Sequence, residues 1–381
     1  MKILFVDASR NGWGTEQHLV SLAGALADGG HTVSAVVKRG SPVERLLLER
    51  GIRTHATAFR GGADPRGVMT MITAIRRDSP DWVVTNRAKL YWTVWIVARL
   101  MGVSVALFRH LPDIRRWLTR CVLPRLVDRF FVVSEFARAR LVAQGAPPKR
   151  IGILFNPIDT NRLLRTQLHR TDIRRRLGIP PDDFVVGFVG RVECDKGVRI
   201  LWDAIAPLMA QSTPMRLLCV GDGPEVGRWR QQAEAAGLGA RCHFVGWTAS
   251  IGDFYPAMDL LVAPSVAPET FCRVIAEAQA SGLAVIGSRI GGIPEAFAPD
   301  ESGFLVEPDD GSELRNAIRR LYDDRILCAR FAATGKRYAC ENFSSRRIAD
   351  QFVAALGSQR SGSHASYPLT PPRSATVRAS L

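Results

Sequence analysis

The chain has little of what would mark a secreted or membrane-embedded protein. Its seven cysteines, Cys121, Cys194, Cys219, Cys242, Cys272, Cys328 and Cys340, are odd in number, widely spaced and include no CxxC pair. That pattern supports neither a disulfide framework nor a zinc site. Met1 and Lys2 lead directly into an apolar strand of about five residues, too short for a signal-peptide core, and Asp7 closes it. Long apolar runs are also missing, with one segment to consider. Leu90 to Phe108, LYWTVWIVARLMGVSVALF, approaches the roughly 20 residues that a bilayer requires. Arg99 interrupts it, Gly102 supplies a stop, and VSVALF is β-branched, so the run reads as a helix followed by a buried strand. A cytosolic protein without a membrane span is expected.

Acidic residues are in deficit: 36 Asp and Glu against 51 Lys and Arg leave a net charge of +15. Such a surface attracts nucleic acid, acidic phospholipid or phosphate-bearing substrates. No RNP-like segment, zinc finger or basic heptad is present, so no nucleic-acid partner is expected. The phosphate and membrane readings remain.

What the chain does have is a globular composition, 46% hydrophobic and 23% charged, over 381 residues, which is long for one core and predicts two domains. Short apolar runs alternate with helical segments from the start: KILFVD, a helix from Gly14 to Asp28, TVSAVV, a helix near Val43 to Glu49, then a strand near Ile52. Further strands are predicted at Trp82 to Val84, Val103 to Phe108, Arg129 to Val133 and Ile151 to Leu154. The alternation restarts at Phe184, with strands at about 184–189, 215–220, 241–245, 259–262 and 284–287. From 311 to 357 the pattern is helical only. The fold class expected is α/β, with two Rossmann-like, doubly wound parallel-sheet domains facing across a cleft. The expected boundaries are 1–165 for an acceptor-side domain and 166–340 for a donor domain. A C-terminal helix at 341–358 would cross back to the first domain, and 359–381, rich in Ser, Pro, Thr and Arg, would form a disordered tail.

In doubly wound sheets ligands sit beyond the carboxyl ends of the strands, so the residues there carry the functional argument. After the first strand, ASRNGWGTEQ places Gly12 and Gly14 where backbone can approach a diphosphate, or where a plain turn needs glycine. The first strand of the second half ends in VGRVECDKG; there Arg191 and Lys196 can clamp a diphosphate or simply be solvated charges. The segment APETFCRVIAEAQASGLAVIGSRIGGIPEAF combines Glu269 before a helix, Glu277 within it and the turn Gly291–Gly292. Carboxylates accept from vicinal hydroxyls, and helical N–H groups near Phe271 and Cys272 would face an anion. The two glycines would open a further helix and a second N–H cradle.

These residues resemble a known family. ETFCRVIAE matches the E-x7-E pattern of retaining glycosyltransferases with the GT-B fold, family 4 (glycosyl transferases group 1), and GGIPE is similar to their glycine turn. VGRVECDKG, VVSEFARARLVAQGAPPKRIGILFNPID and NGWGTEQHLVSLAGALADGGHTV resemble further segments of that family in the same order, over residues 1 to 357. The resemblance implies that Arg191 and Lys196 bind the phosphates of a nucleotide-sugar donor, Glu277 its ribose and Glu269 the transferred sugar. It also implies that Gly14 approaches the diphosphate from the other domain, and that His110, in ALFRHLPD, contacts the sugar near the reacting centre. Cys272 stands where the family usually has Gly, Pro157 replaces the Gly of its NG-I-D segment, and Ala284 replaces a common Pro.

The resemblance further implies retention without a metal or other cofactor, with a saccharide or lipid-linked acceptor and a role in surface polysaccharide, lipopolysaccharide or glycolipid assembly. No DxD-type motif sits at a strand end; Asp182 and Asp183 precede a strand instead. Asp113 to Arg129, DIRRWLTRCVLPRLVDR, joins five arginines to Trp, Leu and Val. It reads either as an amphipathic helix resting on the inner face of an anionic membrane or as an ordinary surface helix, with Pro124 interrupting it. Two other readings stay open: a GT-B epimerase or phosphorylase, and a non-catalytic sugar-nucleotide-binding subunit.

Overall fold

A computed structural model describes residues 1–10, 14–165, 170–211, 213–248 and 250–357. They form two compact units, one of Met1–Ile158 with 343–357, the other Asp159–Asn342. The first contains β1 (Lys2–Asp7), β2 (Thr32–Lys38), β3 (Arg53–Thr57), β4 (Trp82–Thr85), β5 (Ser104–Arg109), β6 (Arg129–Val132) and β7 (Ile151–Ile153). The second contains β8 (Phe184–Val189), β9 (Met215–Val220), β10 (Cys242–Gly246), β11 (Leu260–Ala263), β12 (Ala284–Ser288) and β13 (Gly303–Val306).

Strand order is 3-2-1-4-5-6-7 in the first sheet and 10-9-8-11-12-13 in the second, and every neighbouring pair is parallel. Parallel strands covered on both faces must be apolar on both faces, which is why FVVGFV of β8 is buried throughout. Each order reverses once, between β1 and β4 and between β8 and β11. These two switch points leave a crevice at the carboxyl end of each sheet.

Local signals start the helices. Asp64 accepts from the Arg66 N–H at 3.0 Å with Pro65 as the first helical residue, and Ser134 caps Glu135–Ala143 through the Ala137 N–H at 3.0 Å. The last helix, Ser345–Gly357, packs on the first unit. Phe352 lies 5.4 Å from Phe108 and 5.7 Å from Phe131, ring to ring, and Arg129 Nε donates to the Ala355 carbonyl at 2.8 Å.

Three local expectations need correction. The strand β13 is absent from the sequence reading, because four residues in a turn-rich stretch give too short a period to register. The helix expected over Asp113 to Arg129 is confined to 117–126, and 113–116 are irregular. Within it Leu118–Val122 form a π turn, and Pro124 follows in the short helix Leu123–Leu126. The wider turn accommodates a proline ring that would otherwise strike the preceding carbonyl. Finally, Gly291–Gly292 opens a single 3-10 turn, Ile293–Glu295, not a longer helix.

The charged run RTDIRRRLGI, ahead of β8, is structural. Arg174 is buried: Nη2 pairs with Asp259 at 2.8 Å, Nε donates to the Ala257 carbonyl, and Nη1 reaches the carbonyls of Pro181 and Asp183 at 2.7 and 2.8 Å. Asp259 also accepts from Arg170 and from the backbone N–H of Val185, so the network ties the helix Arg170–Leu177 to the start of β8. Replacing Arg174 by Ala leaves buried acceptors unmet and is expected to cost about 3 kcal/mol. The check is the urea midpoint of the second unit, which should fall at unchanged slope; an unmoved midpoint would show that the network contributes nothing net.

Candidate active site

In the second unit, the switch point gathers the loops that leave β8 and β11. Gly197 ends the short 3-10 turn Cys194–Lys196 with φ 68°, and a Cβ there would lie 1.8 Å from the Pro264 carbonyl oxygen. Only glycine permits that approach. The Val266 and Ala267 N–H groups both donate to the Asp195 carbonyl, at 3.0 and 3.3 Å, and fasten the two loops together. Lys196 Nζ consequently meets Glu269 Oε1 at 3.0 Å, where the Ser265 hydroxyl also donates. Both charges are about four-fifths buried, so their attraction is screened less than at an open surface.

Glu277 lies one helix further on, in Arg273–Ala280, held by Tyr255 OH and Arg273 Nη2 at 3.0 Å each. Burial, reinforced by the charge of Glu277, pushes the Tyr255 phenol well above its ordinary pKa, which keeps it a neutral donor. Arg191 behaves differently. It turns to acids of its own loop, Glu193 and, at 3.7 Å, Asp195. Lys196 pairs with Glu269 instead, and Arg191 is half exposed on the same β8 loop.

Phe271 and Cys272 are buried and precede the helix, which begins at Arg273. The helical N–H groups are therefore those of Arg273 and its successors, not those of the two residues expected from sequence. Burial holds the Cys272 thiol well above its usual pKa, so it packs as a small neutral side chain. Gly291 and Gly292 lie beneath Glu269. The Gly292 N–H donates to the Glu269 carbonyl at 2.7 Å, and a Cβ on Gly292 would stand 2.1 Å from the Thr270 carbonyl oxygen. That N–H is already used, and the glycine pair supports the acidic loop by close backbone packing.

Sequence reasoning named His110 and Gly14 in the first unit; Gly12 lies outside the described residues. Gly14 is exposed and opens the helix Gly14–Asp28. His110 follows β5, its ring 4.6 Å from that of His18. Around the β1/β4 switch point the structure adds residues that the motifs did not single out. Asp7 accepts from the Ser9 N–H at 2.7 Å and from its hydroxyl, Glu16 pairs with Arg87 at 2.9 Å, and Asn86 donates to the Thr15 carbonyl at 2.8 Å. Asp7 Oδ2, Glu16 Oε2 and Asn86 Oδ1 are buried without a hydrogen-bond partner among the described residues. The strand-end rule applied to Asp7 and Asn86, and the acidic first turn at Glu16, were the available signals. Among the described residues no cluster of His, Cys, Asp and Glu is disposed to hold a metal.

Comparison with known proteins now bears on this arrangement. The Glycosyltransferase Family 4 model matches residues 13–162 and the Glycosyl transferases group 1 model residues 169–338. A GDP-mannose-dependent alpha-mannosyltransferase of Mycobacterium tuberculosis is 30% identical over 352 residues, covering 85% of this chain and 89% of the relative. A D-inositol 3-phosphate glycosyltransferase of Rhodococcus opacus is 34% identical over 215 residues, 54% of this chain; the match spans about half, 47%, of that relative's length. Among solved structures, Anabaena HepE in complex with UDP and glucose superposes with a TM-score of 0.79 at 26% identity, over 94% of this chain and all of that one (100%). The chain belongs to glycosyltransferase family 4, the group 1 transferases of the GT-B fold.

The buried carboxyls of the first unit make a pH prediction. Burial raises the pKa of Asp7, against the Ser9 hydrogen bonds, and burial likewise raises that of Glu16, with the charge of Asp7 adding to it. A folded-state pKa above the unfolded value means stability that is present at low pH and lost as pH rises through the folded pKa. Asp7→Asn keeps an acceptor for Ser9 and removes the buried charge. It is expected to raise the thermal midpoint at pH 8 and to flatten the decline that wild type shows above about pH 4, where an unfolded aspartate ionises. Melting curves across that range provide the test; parallel curves for the two proteins would show that Arg87 fully compensates the charge.

Proposed function

We propose that this protein is a retaining glycosyltransferase that moves a hexose from a nucleoside-diphosphate sugar, a UDP-sugar in the first instance, to an acceptor hydroxyl. The observation that carries the reading is the fastening of Lys196 against Glu269 at the β8/β11 switch point, with Glu277 one helix beyond. A cation there suits a diphosphate, and the two carboxylates suit the hydroxyls of a sugar and a ribose. HepE, solved with UDP and glucose, supports a UDP donor, and the mannosyltransferase relative makes a GDP-sugar the comparison to run.

Chemistry follows from charge. The bond between the anomeric carbon and the donor phosphate oxygen breaks, and Arg191 and Lys196 stabilise the negative charge that collects on the departing diphosphate. Glu277 holds the ribose, Glu269 orients the transferring sugar and His110 serves the reacting centre. The acceptor oxygen bonds to the anomeric carbon on the face the phosphate leaves, and its proton passes to a donor phosphate oxygen. No protein base is needed.

The acceptor belongs at a membrane surface. In the first unit Trp117 and Leu118 are more than half exposed beside the exposed Arg115, Arg116 and Arg125, and Ile96 and Leu100 of the helix Tyr91–Leu100 are exposed as well. No helix among the described residues is long and apolar enough to cross a membrane. Apolar side chains flanked by arginine fit the interface of an anionic bilayer, where a lipid-linked saccharide would be met.

Two measurements test these readings. UDP-glucose at about a hundred times its dissociation constant should stabilise the protein by about 2.7 kcal/mol, more than GDP-mannose at equal concentration, and Glu277→Ala should abolish the shift. Absence of any shift from either donor would remove the donor site. Separately, the protein should sediment with phosphatidylglycerol vesicles and not with phosphatidylcholine vesicles. Trp117→Ser with Leu118→Ser should release it, whereas equal sedimentation of variant and wild type would contradict the membrane surface.

A further inference from the structure

His18 and Asn156 come from distant parts of the chain, 138 positions apart, and meet inside the first unit. Asn156 Oδ1 lies 3.0 Å from His18 Nδ1, with both side chains buried, at 1% exposure for His18 and 4% for Asn156. An amide oxygen accepts, so Nδ1 carries the proton, and a flip of the imidazole would break the bond. The ring is also packed against two others. Phe108 is 4.8 Å away and His110 4.6 Å away, the latter nearly perpendicular at 76°.

Phe108 lies in β5 and His110 just past its end, and both rings face that of His18. His18 therefore spans both from the helix above. Phe108 is itself held, stacked on Phe131 at 5.1 Å and against Phe352 at 5.4 Å. His110 is left beside His18, which Asn156 and Phe108 hold. A residue that serves a reacting centre gains from such support, because its orientation is set before substrate binds.

We propose that His18, clamped by Asn156, is a positioning residue for His110: the amide fixes the His18 ring, and the His18 ring fixes the His110 ring. The inference rests on the proposed role of His110. Its consequence is that Asn156, through His18, governs how His110 performs.

The test uses the full chain, with release of UDP from UDP-glucose to water as the activity probe and binding of UDP as a separate measure of the donor site. Asn156→Ala and His18→Phe, which keeps an aromatic ring but loses the hydrogen bond, are each expected to lower kcat by about tenfold to a hundredfold, while the KM for UDP-glucose and the affinity for UDP stay within about twofold. In a His110→Ala background neither change should lower kcat further. Activity aside, the imidazole nitrogen resonances of His110 in histidine-labelled protein should shift in Asn156→Ala, with the thermal midpoint confirming a folded chain. Losses that multiply with His110→Ala, or unshifted His110 resonances in folded protein, would overturn the positioning pair. Wild-type turnover by His110→Ala would instead overturn the role of His110 on which it rests.

Discussion

Strand direction is the constraint from which the rest of this structure follows. In a wholly parallel sheet every connection must return the chain to the starting edge, and here helices make that return on both faces. All strands then release their loops at one edge. Because each sheet is wound outward in both directions, the two central loops diverge and leave room between them. Asp7 and Asn86 occupy that position in one unit, Lys196 and Glu269 in the other. Polar side chains gather at such an edge because within a buried parallel sheet they would have no water.

The two switch points solve the problem of buried charge differently. In the second unit cation and anion neutralise one another, and the carbonyl of Asp195 links the loops that carry them. In the first unit two carboxyls face one arginine, and burial moves the proton balance toward the neutral acid. The first arrangement exchanges one oxyanion for another at little electrostatic cost, which suits a site for phosphate and hydroxyl groups. The second sets burial, which favours the neutral acids, against the single counterion Arg87.

Much of this was legible in the sequence because its elements are strongly patterned. The uninterrupted apolar runs of β1 and β8 cannot be surface segments, and the strand-end rule then drew attention to Arg191, Lys196, Glu269 and Glu277. What sequence could not convey is proximity and depth. Arg174 looks like one of several solvated charges in a run of arginines, yet it is the one whose donors are spent on carbonyls and an aspartate. His18 and Asn156 appear in separate segments, and only the winding of the sheet joins them. The arginines of 113–129 suggested a regular helix, whereas Pro124 and the π turn before it limit the helical geometry to part of the stretch.

The last helix has a consequence for synthesis. Residues 343–357 belong to the core that the first strands begin, and Asp159–Asn342 is in effect an insertion within it. On a ribosome the inserted unit has all of its own elements available before the outer one has its last helix. The earlier-made unit must wait, with the faces of Phe108 and Phe131 that Phe352 will cover still open to water, until translation has passed its final helix. The order in which the two units mature is thus the reverse of the order in which they are written, and the vulnerable interval falls on the half that was made first.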